Sequence, residues 1–151
     1  VDGELVMLDS IEISKVKNAT AADKSKQAIT VIEGKGLYNI TDEKTNVTSV
    51  VPGTISITSR LAKTMGIKVG DTVYWHIYSK NTWYESKVGS ISRSPETAGI
   101  VILREDFETL GCEFMPSILV TDKDVKSFES REGISTVYEM SELKRIFIPR
   151  N

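Results

Sequence analysis

Apolar and polar side chains alternate along parts of the first third of the chain, and this pattern predicts β-strands. Residues 4–14 show the alternation over the longest stretch, which predicts one long strand. Residues 18–27 are polar and rich in alanine and lysine, which favours either a short helix capped by Thr20 or a mobile connection. Two short apolar runs, at residues 29–32 and 37–40, are separated by two glycines and predict a hairpin.

The middle of the chain carries the sharpest local signals. Residues 54–57 predict a strand, and Thr58 or Ser59 is placed to cap a helix that follows it directly. That helix is expected to end at Gly66, because glycine adopts the left-handed conformation of a helix C-terminus without strain. Two strands joined by a tight turn follow, at residues 72–78 and 82–91.

A strand followed by a helix is predicted three times in the last third. Gly111 marks the end of the first helix, Thr121 caps the second, and Pro149 terminates the third. The strands are predicted at residues 99–103, 117–120 and 134–138, and the helices at residues 103–110, 121–128 and 141–147.

These elements together predict an α+β fold of mixed sheets with short helices. We expect one domain covering residues 1–151, with two lobes. The first is a small β-rich lobe at residues 54–93, and the second is a strand–helix lobe formed by residues 1–53 with residues 94–151. A chain of 151 residues is long enough to bury a core without disulfides or metal.

Charge and composition narrow the classes of function. The net charge is −2, but residues 1–53, 54–93 and 94–151 carry −2, +4 and −4 respectively. The sequence pI near 5.5 argues against a surface wholly given to nucleic acid. One cysteine and one histidine are too few for an internal disulfide, a cysteine-rich zinc site or an imidazole cluster. No run of apolar residues is long enough to span a bilayer.

Candidate catalytic groups are few. Cys112 and His76 are predicted in different lobes, and a packing role is the favoured interpretation of each, although an enzyme that uses Cys112 stays open as a weak alternative. Several carboxylates fall in the first turns of predicted helices, where they stabilise the helix dipole. These are Glu105, Asp106, Glu108, Asp122 and Asp124. Phosphate-loop, dinucleotide and zinc-protease motifs are absent from the sequence, so we expect no catalytic, cofactor-binding or metal-binding residue and no enzymatic activity.

Five of the eleven aromatic residues lie in the hairpin at residues 72–91. Since successive side chains of a strand face opposite sides of the sheet, they cannot all enter the core. Cross-strand packing is one interpretation, and a contact surface for a partner, a lipid headgroup or a ligand is the other. The candidate contact surface consists of Tyr74, Trp75, Tyr78, Trp83 and Tyr84.

Residues 54–73, which read TISITSRLAKTMGIKVGDTV, combine a strand, a Leu-Ala-Lys helix, a Gly-Asp turn and a second strand. This order resembles a segment in the extracytoplasmic domains of FtsX-like permeases of bacterial ABC transporters, and the resemblance extends over residues 50–147. It implies a non-enzymatic domain on the extracellular face of the bacterial cytoplasmic membrane. It further implies coupling to a cytoplasmic ATPase subunit through the parent permease, and membrane attachment through flanking segments. The implied substrate is a lipid, a lipopeptide or a peptide; no cofactor and no nucleic acid are expected.

The same Leu-Ala-Lys and Gly-Asp-x-Val pattern also resembles the swapped-hairpin module of AbrB-like transcription regulators. That resemblance implies DNA binding and is the alternative function. The basic residues 54–93 allow a positively charged patch, whereas the acidic residues 94–151 would repel the phosphate backbone.

Overall fold

Strands predominate in the described part of the chain, which a computed structural model gives for residues 3–93, 99–121, 135–138 and 144–148. The architecture is α+β, with mixed sheets and few short helices, as the sequence predicts. The helices are α1 (Ser59–Met65) and α2 (Arg104–Thr109), with a 3-10 turn at Ala21–Asp23. The strands are β1 (Glu4–Ser14), β2 (Ser25–Ile32), β3 (Ile40–Thr41), β4 (Val47–Thr48), β5 (Ile55–Thr58), β6 (Thr72–Ile77), β7 (Trp83–Ser92), β8 (Ile100–Leu103), β9 (Ile118–Thr121), β10 (Ser135–Tyr138) and β11 (Lys144–Phe147).

Nine of these strands form one sheet, which closes on itself through β1. The order is β10-β11-β9-β1-β2-β8-β5-β7-β6, and β6 pairs back with β1. The closed part therefore contains β1, β2, β8, β5, β7 and β6, with parallel pairs at β2–β8 and β5–β7. Strands β9, β11 and β10 continue from the first half of β1 and are called the extension below. Strands β3 and β4 form a separate two-stranded sheet.

The main hydrophobic core fills the inside of the closed part of the sheet. Strand β1 contributes Ile11 and Ile13, both 0 % exposed, because alternate residues of a strand face the same side. Helices α1 and α2 cover this core with Leu61 and Phe107, which are 3 % and 1 % exposed. The pairs β1–β6 and β5–β8 connect residues 54–93 by backbone hydrogen bonds to the regions before and after them.

Glu4 is a fully buried carboxylate that holds the loop following β2. Its Oε2 accepts a hydrogen bond of 2.9 Å from the backbone N–H of Gly34. Its Oε1 accepts bonds of 3.1 Å from Leu37 and Tyr38. The exposed fraction of Glu4 is 0 %, so these three N–H donors supply the hydrogen bonds that water gives to an exposed carboxylate.

Several local predictions are confirmed. Strand β1 has the predicted bounds, and α1 begins after Thr58 and ends at Gly66, whose φ of 69° is left-handed. Strands β6 to β9 also lie where they are predicted, within one or two residues. The helix predicted at residues 121–128 lies outside the described residues, except for Thr121 itself, which is the last residue of β9.

The hairpin predicted from residues 29–32 and 37–40 is wrong. Strand β2 pairs with β1 and β8, while Ile40 pairs with Thr48. Gly34 and Gly36, which both have a positive φ, do turn the chain, but hydrogen bonds to Glu4 hold the turn, and not pairing with a neighbouring strand. A side chain thirty residues away in the sequence therefore replaces the expected strand pairing.

The helix predicted at residues 141–147 is also wrong, because residues 144–147 form strand β11. This strand pairs with β9, where Ile146 lies opposite Leu119. Ile146 is 0 % exposed and forms a small cluster with Leu119. A short apolar run does not by itself distinguish a helix from a strand. Here the backbone pairing with β9 makes these residues a strand.

We expect the replacement Glu4→Ala to destabilise the fold by about 2–4 kcal/mol, because three backbone donors lose a charged acceptor. Urea unfolding followed by tryptophan fluorescence measures the free energy of unfolding. Glu43→Ala, a change at an exposed carboxylate, is the matched control and should stay within about 0.5 kcal/mol of the wild type. Equal stability of the two variants would contradict the role assigned to Glu4.

Gly99 lies where β8 enters between β2 and β5, and its φ is +69°. A Cβ at this position would collide with the carbonyl oxygen of Ala28. Gly36 also has a positive φ, of +90°, but a Cβ there would meet nothing within 4 Å. We therefore expect Gly99→Ala to cost at least about 2 kcal/mol more than Gly36→Ala, measured by the same unfolding assay. If both variants lost a similar amount of stability, the positive φ and not the collision with Ala28 would be the cause.

Candidate functional site

The hairpin of β6 and β7 divides the five candidate aromatic residues between the two sides of the sheet. Trp75 and Tyr84 are cross-strand neighbours that face the core. Trp75 is 0 % exposed, and its Nε1 donates a hydrogen bond of 3.0 Å to Oγ of Ser86. Its ring centroid lies 5.0 Å from that of Tyr84 and 6.4 Å from that of Phe107. Packing accounts for these two residues of the candidate contact surface.

The other three candidates lie on the outside of the closed sheet. Tyr78 is 52 % exposed and Trp83 is 40 % exposed, whereas Tyr74 is partly buried. They occupy the same side of the hairpin as His76, since side chains alternate along β6. The outer face, as the name is used below, consists of these residues and their neighbours on β1 and β2, namely Glu12, Lys24, Lys26, Tyr74, His76, Tyr78 and Trp83.

Four residues of the outer face form one row across four strands. Lys26 on β2 lies opposite Glu12 on β1. Glu12 in turn lies opposite His76 on β6, which lies opposite Trp83 on β7. The row exists only because β6 pairs with β1, so the closure of the sheet brings these side chains together.

His76 is the centre of the row, and both of its ring nitrogens have oxygen partners. Nε2 lies 2.8 Å from Oε1 of Glu12. Nδ1 lies 2.6 Å from the carbonyl oxygen of Lys80 and 2.7 Å from that of Ile77. A carbonyl oxygen only accepts hydrogen bonds, so Nδ1 is the donor in these contacts. The imidazole thereby joins β1 to the turn between β6 and β7, and its ring lies 4.5 Å from that of Trp83.

Two lysines lie over the exposed aromatic rings, Lys24 directly before β2 and Lys26 within it. The Nζ atom of Lys24 is 5.8 Å from the centroid of Trp83, and Nζ of Lys26 is 4.3 Å from that of Tyr78. Sequence reasoning placed these lysines in a helix or a mobile connection and missed them. Their spacing of two, just before the apolar run of β2, was the signal, because residues two apart share one face of a strand.

Cys112 lies on the core side of the hairpin and not with His76. Burial raises the pKa of the Cys112 thiol above its ordinary 9.0, and a hydrogen bond with Tyr84 and the charge of Lys80 lower it by less. The same hydrogen bond, with burial, raises the pKa of Tyr84 to about 12. A raised thiol pKa disfavours the thiolate that a nucleophile needs. Glu12, the side-chain partner of His76, lies on the other side of the sheet.

The carboxylates of α2 take part in ordinary surface contacts. Asp106 accepts a hydrogen bond of 2.7 Å from the N–H of Gly53, and Glu108 pairs with Arg104 at 3.2 Å. Glu105 is exposed. The remaining two candidates, Asp122 and Asp124, lie outside the described residues. Within the described ranges no three carboxylate, histidine or cysteine side chains converge on a position that would hold a metal ion.

An open cleft of about 490 Å³ lies beside α2. Arg104 in this cleft pairs with Glu33 at 2.9 Å, and Lys35 pairs with the same carboxylate at 3.5 Å. Because four of its five charged side chains are paired with one another, the cleft offers little free charge to a ligand beyond that of Glu105. The lining residues are Glu33, Lys35, Arg104, Glu105, Glu108 and Thr109.

Compared with models of known protein families, with curated proteins and with solved structures, the chain gives no match. The described helices α1 and α2, of seven and six residues, are too short to cross a membrane.

The environment of Cys112 predicts slow thiol chemistry in the native protein. We expect the rate of alkylation by iodoacetamide to rise with pH around a midpoint above 9.0, whereas the urea-unfolded chain should show an ordinary midpoint. Tyr84→Phe should move the native midpoint further up, because the Tyr84 hydrogen bond lowers the thiol pKa. A native midpoint at or below that of the unfolded chain would contradict this account.

Proposed function

We propose that this chain is the extracytoplasmic domain of an FtsX-like permease and that it acts by contact and movement, not by catalysis. The observation that carries the proposal is the outer face, where exposed Trp83 and Tyr78 are held at fixed positions on a closed sheet. Large, rigid aromatic side chains are the typical anchors of contact surfaces.

The resemblance of residues 54–73 gives this proposal its family. In the fold these residues form β5, α1, the left-handed Gly66, a turn and the start of β6. The turn is closed by Asp71, whose Oδ2 accepts a hydrogen bond of 2.8 Å from the N–H of Lys68. The segment thus leads directly into the strand that carries Tyr74 and His76.

Strand β1 supports the coupling of motion to the outer face. Its first residues pair with β9 in the extension, and Glu12 near its other end binds His76. An uninterrupted strand of 11 residues spans about 36 Å and does not stretch, so it transmits displacement between the two regions. Strands β1 and β11 both flank β9, which puts the first and last described strands about 10 Å apart. Neighbouring first and last described strands are compatible with a domain inserted between two adjacent membrane segments.

The location is tested by labelling the turn between β6 and β7. Asn81 is exposed in this turn, and Cys112 is the single cysteine of the chain, so Asn81→Cys in a Cys112→Ser background gives one accessible thiol. In intact bacterial cells that express the full permease, we expect a membrane-impermeant maleimide to label this thiol. Labelling that requires cell lysis would contradict an extracytoplasmic location.

The contact role is tested in the full permease purified with its ATPase subunit and reconstituted in nanodiscs. We expect Trp83→Ala with Tyr78→Ala to lower the rate of ATP hydrolysis at least about fivefold, because the surface that engages the partner is lost. Val47→Ala is the control, since Val47 is 70 % exposed and lies in β4, outside both the outer face and the extension. Unchanged hydrolysis in the double variant, or failure of any ATPase subunit to purify with the permease, would overturn the proposal.

A further inference from the structure

The outer face continues into a lysine-rich loop, and we propose that together they dock on the surface of a bilayer that contains anionic phospholipids. The inference rests on the proposed function, because an extracytoplasmic permease domain works next to a membrane. It adds the chemistry of the surface that the domain touches.

The loop between β1 and β2 brings further positive charge to the outer face. Lys15 and Lys17 are exposed in this loop, and Nζ of Lys15 lies 3.3 Å from the carbonyl oxygen of Gly66 at the end of α1. Lys24 and Lys26 follow at the end of the loop and lie over Trp83 and Tyr78. Lys24 and Lys26 thus border the exposed aromatic rings directly, while Lys15 and Lys17 are exposed on the loop that leads to them.

Two acidic residues of this surface are engaged, whereas Glu85, which lies opposite Tyr74, is exposed and has exposed Lys87 beside it on the same side of β7. Glu12 lies 2.8 Å from the imidazole of His76, and Asp23 accepts hydrogen bonds from the N–H and the hydroxyl of Thr20. The side chain of Glu12 is 27 % exposed, so part of its charge is withdrawn from the surface. The local excess of lysine is complementary to phosphate groups, even though the whole chain carries −2.

Exposed apolar groups between the lysines favour a bilayer over a nucleic acid. Val16, between Lys15 and Lys17, is 45 % exposed. An aliphatic side chain inserts into the headgroup region of a bilayer, whereas on a nucleic acid it finds no base or phosphate to bind. Tyr78 and Trp83 have an apolar ring with a polar atom at its edge, the combination that is enriched at membrane–water interfaces. Lysines extend their amines toward lipid phosphates while their methylene groups stay on apolar surface.

Binding is measured with the whole chain and vesicles of phosphatidylcholine with roughly 30 % or no phosphatidylglycerol, so that the two kinds of vesicle differ in anionic charge. Because Trp75 is buried and Trp83 is exposed, a shift of the fluorescence emission to shorter wavelength reports on Trp83. We expect the shift with the anionic vesicles alone. It should vanish in about 1 M salt, where the Debye length falls to about 3 Å.

Two pairs of variants separate charge from ring contact. Lys24→Gln with Lys26→Gln should weaken vesicle affinity on the order of 10- to 30-fold, while Lys35→Gln with Lys44→Gln removes the same charge elsewhere and should change it less than about threefold. Trp83→Ala, whose binding is followed by co-sedimentation with the vesicles because this variant lacks the fluorescent reporter, should weaken affinity about tenfold, while Phe147→Ala should not. Circular dichroism and unfolding curves check that each variant is folded.

Absence of vesicle binding, or equal losses in both lysine pairs, would overturn the inference. Binding to a 20-base-pair duplex at about 0.1 M salt without binding to vesicles would also overturn it, in favour of the DNA-binding alternative. Vesicle binding is independent of the labelling of Asn81→Cys in cells. If the domain is labelled in cells but does not bind vesicles, only this inference is contradicted. If the domain binds vesicles but is not labelled in intact cells, the proposed location is contradicted.

Discussion

The pairing of strand β1 with three other strands is the constraint on which the rest of the structure depends. One edge of β1 pairs with β2 along most of its length, while the other edge pairs first with β9 and then with β6. The second half of β1 therefore closes the sheet, and the first half extends it. Closure removes two edges that would otherwise expose unpaired backbone groups.

Closure also decides which aromatic side chains remain available for contact. In an open hairpin, both sides of β6 and β7 would meet solvent or an unrelated element. Once β6 pairs with β1, one side faces a filled interior, where Trp75 stacks on Phe107. The other side faces outward, with Trp83 beside His76. The same strand pairing that stabilises the core thus creates the outer face.

The sequence was sufficient where structure is determined by neighbouring residues. The alternation in β1, and the strand, helix and Gly66 of residues 55–66, are local patterns, and they lie where they are predicted. Partners distant in the sequence were not predictable in this way. The loop after β2 is held by Glu4 and not by a hairpin, and β11 is a strand because β9 supplies a partner for its backbone. In both places the short apolar run is compatible with more than one structure, and a distant residue selects one.

The candidate site shows the same division between local and distant information. The aromatic composition of the hairpin is visible in the sequence, and alternation implies that some rings stay outside. Which lysines lie over those rings depends on the register between β2, β1 and β6, and no pattern within the hairpin contains it.

Register also explains why regional charge was an incomplete guide to the surface. The basic region at residues 54–93 and the lysines of residues 15–26 belong to separate parts of the sequence. Residues 1–53 contain more acidic than basic residues, so their net charge of −2 does not reveal the lysines of residues 15–26. Strand pairing places Lys26 in one row with His76 and Trp83 of residues 54–93, and Lys15 contacts Gly66 at the end of α1. Because the Glu12–His76 contact crosses the β1–β6 pair, an outer face of this composition exists only while the sheet is closed. Separation of β1 from β6 would therefore disperse the lysines and the aromatic rings at the same time, so the closure of the sheet is what holds the outer face together.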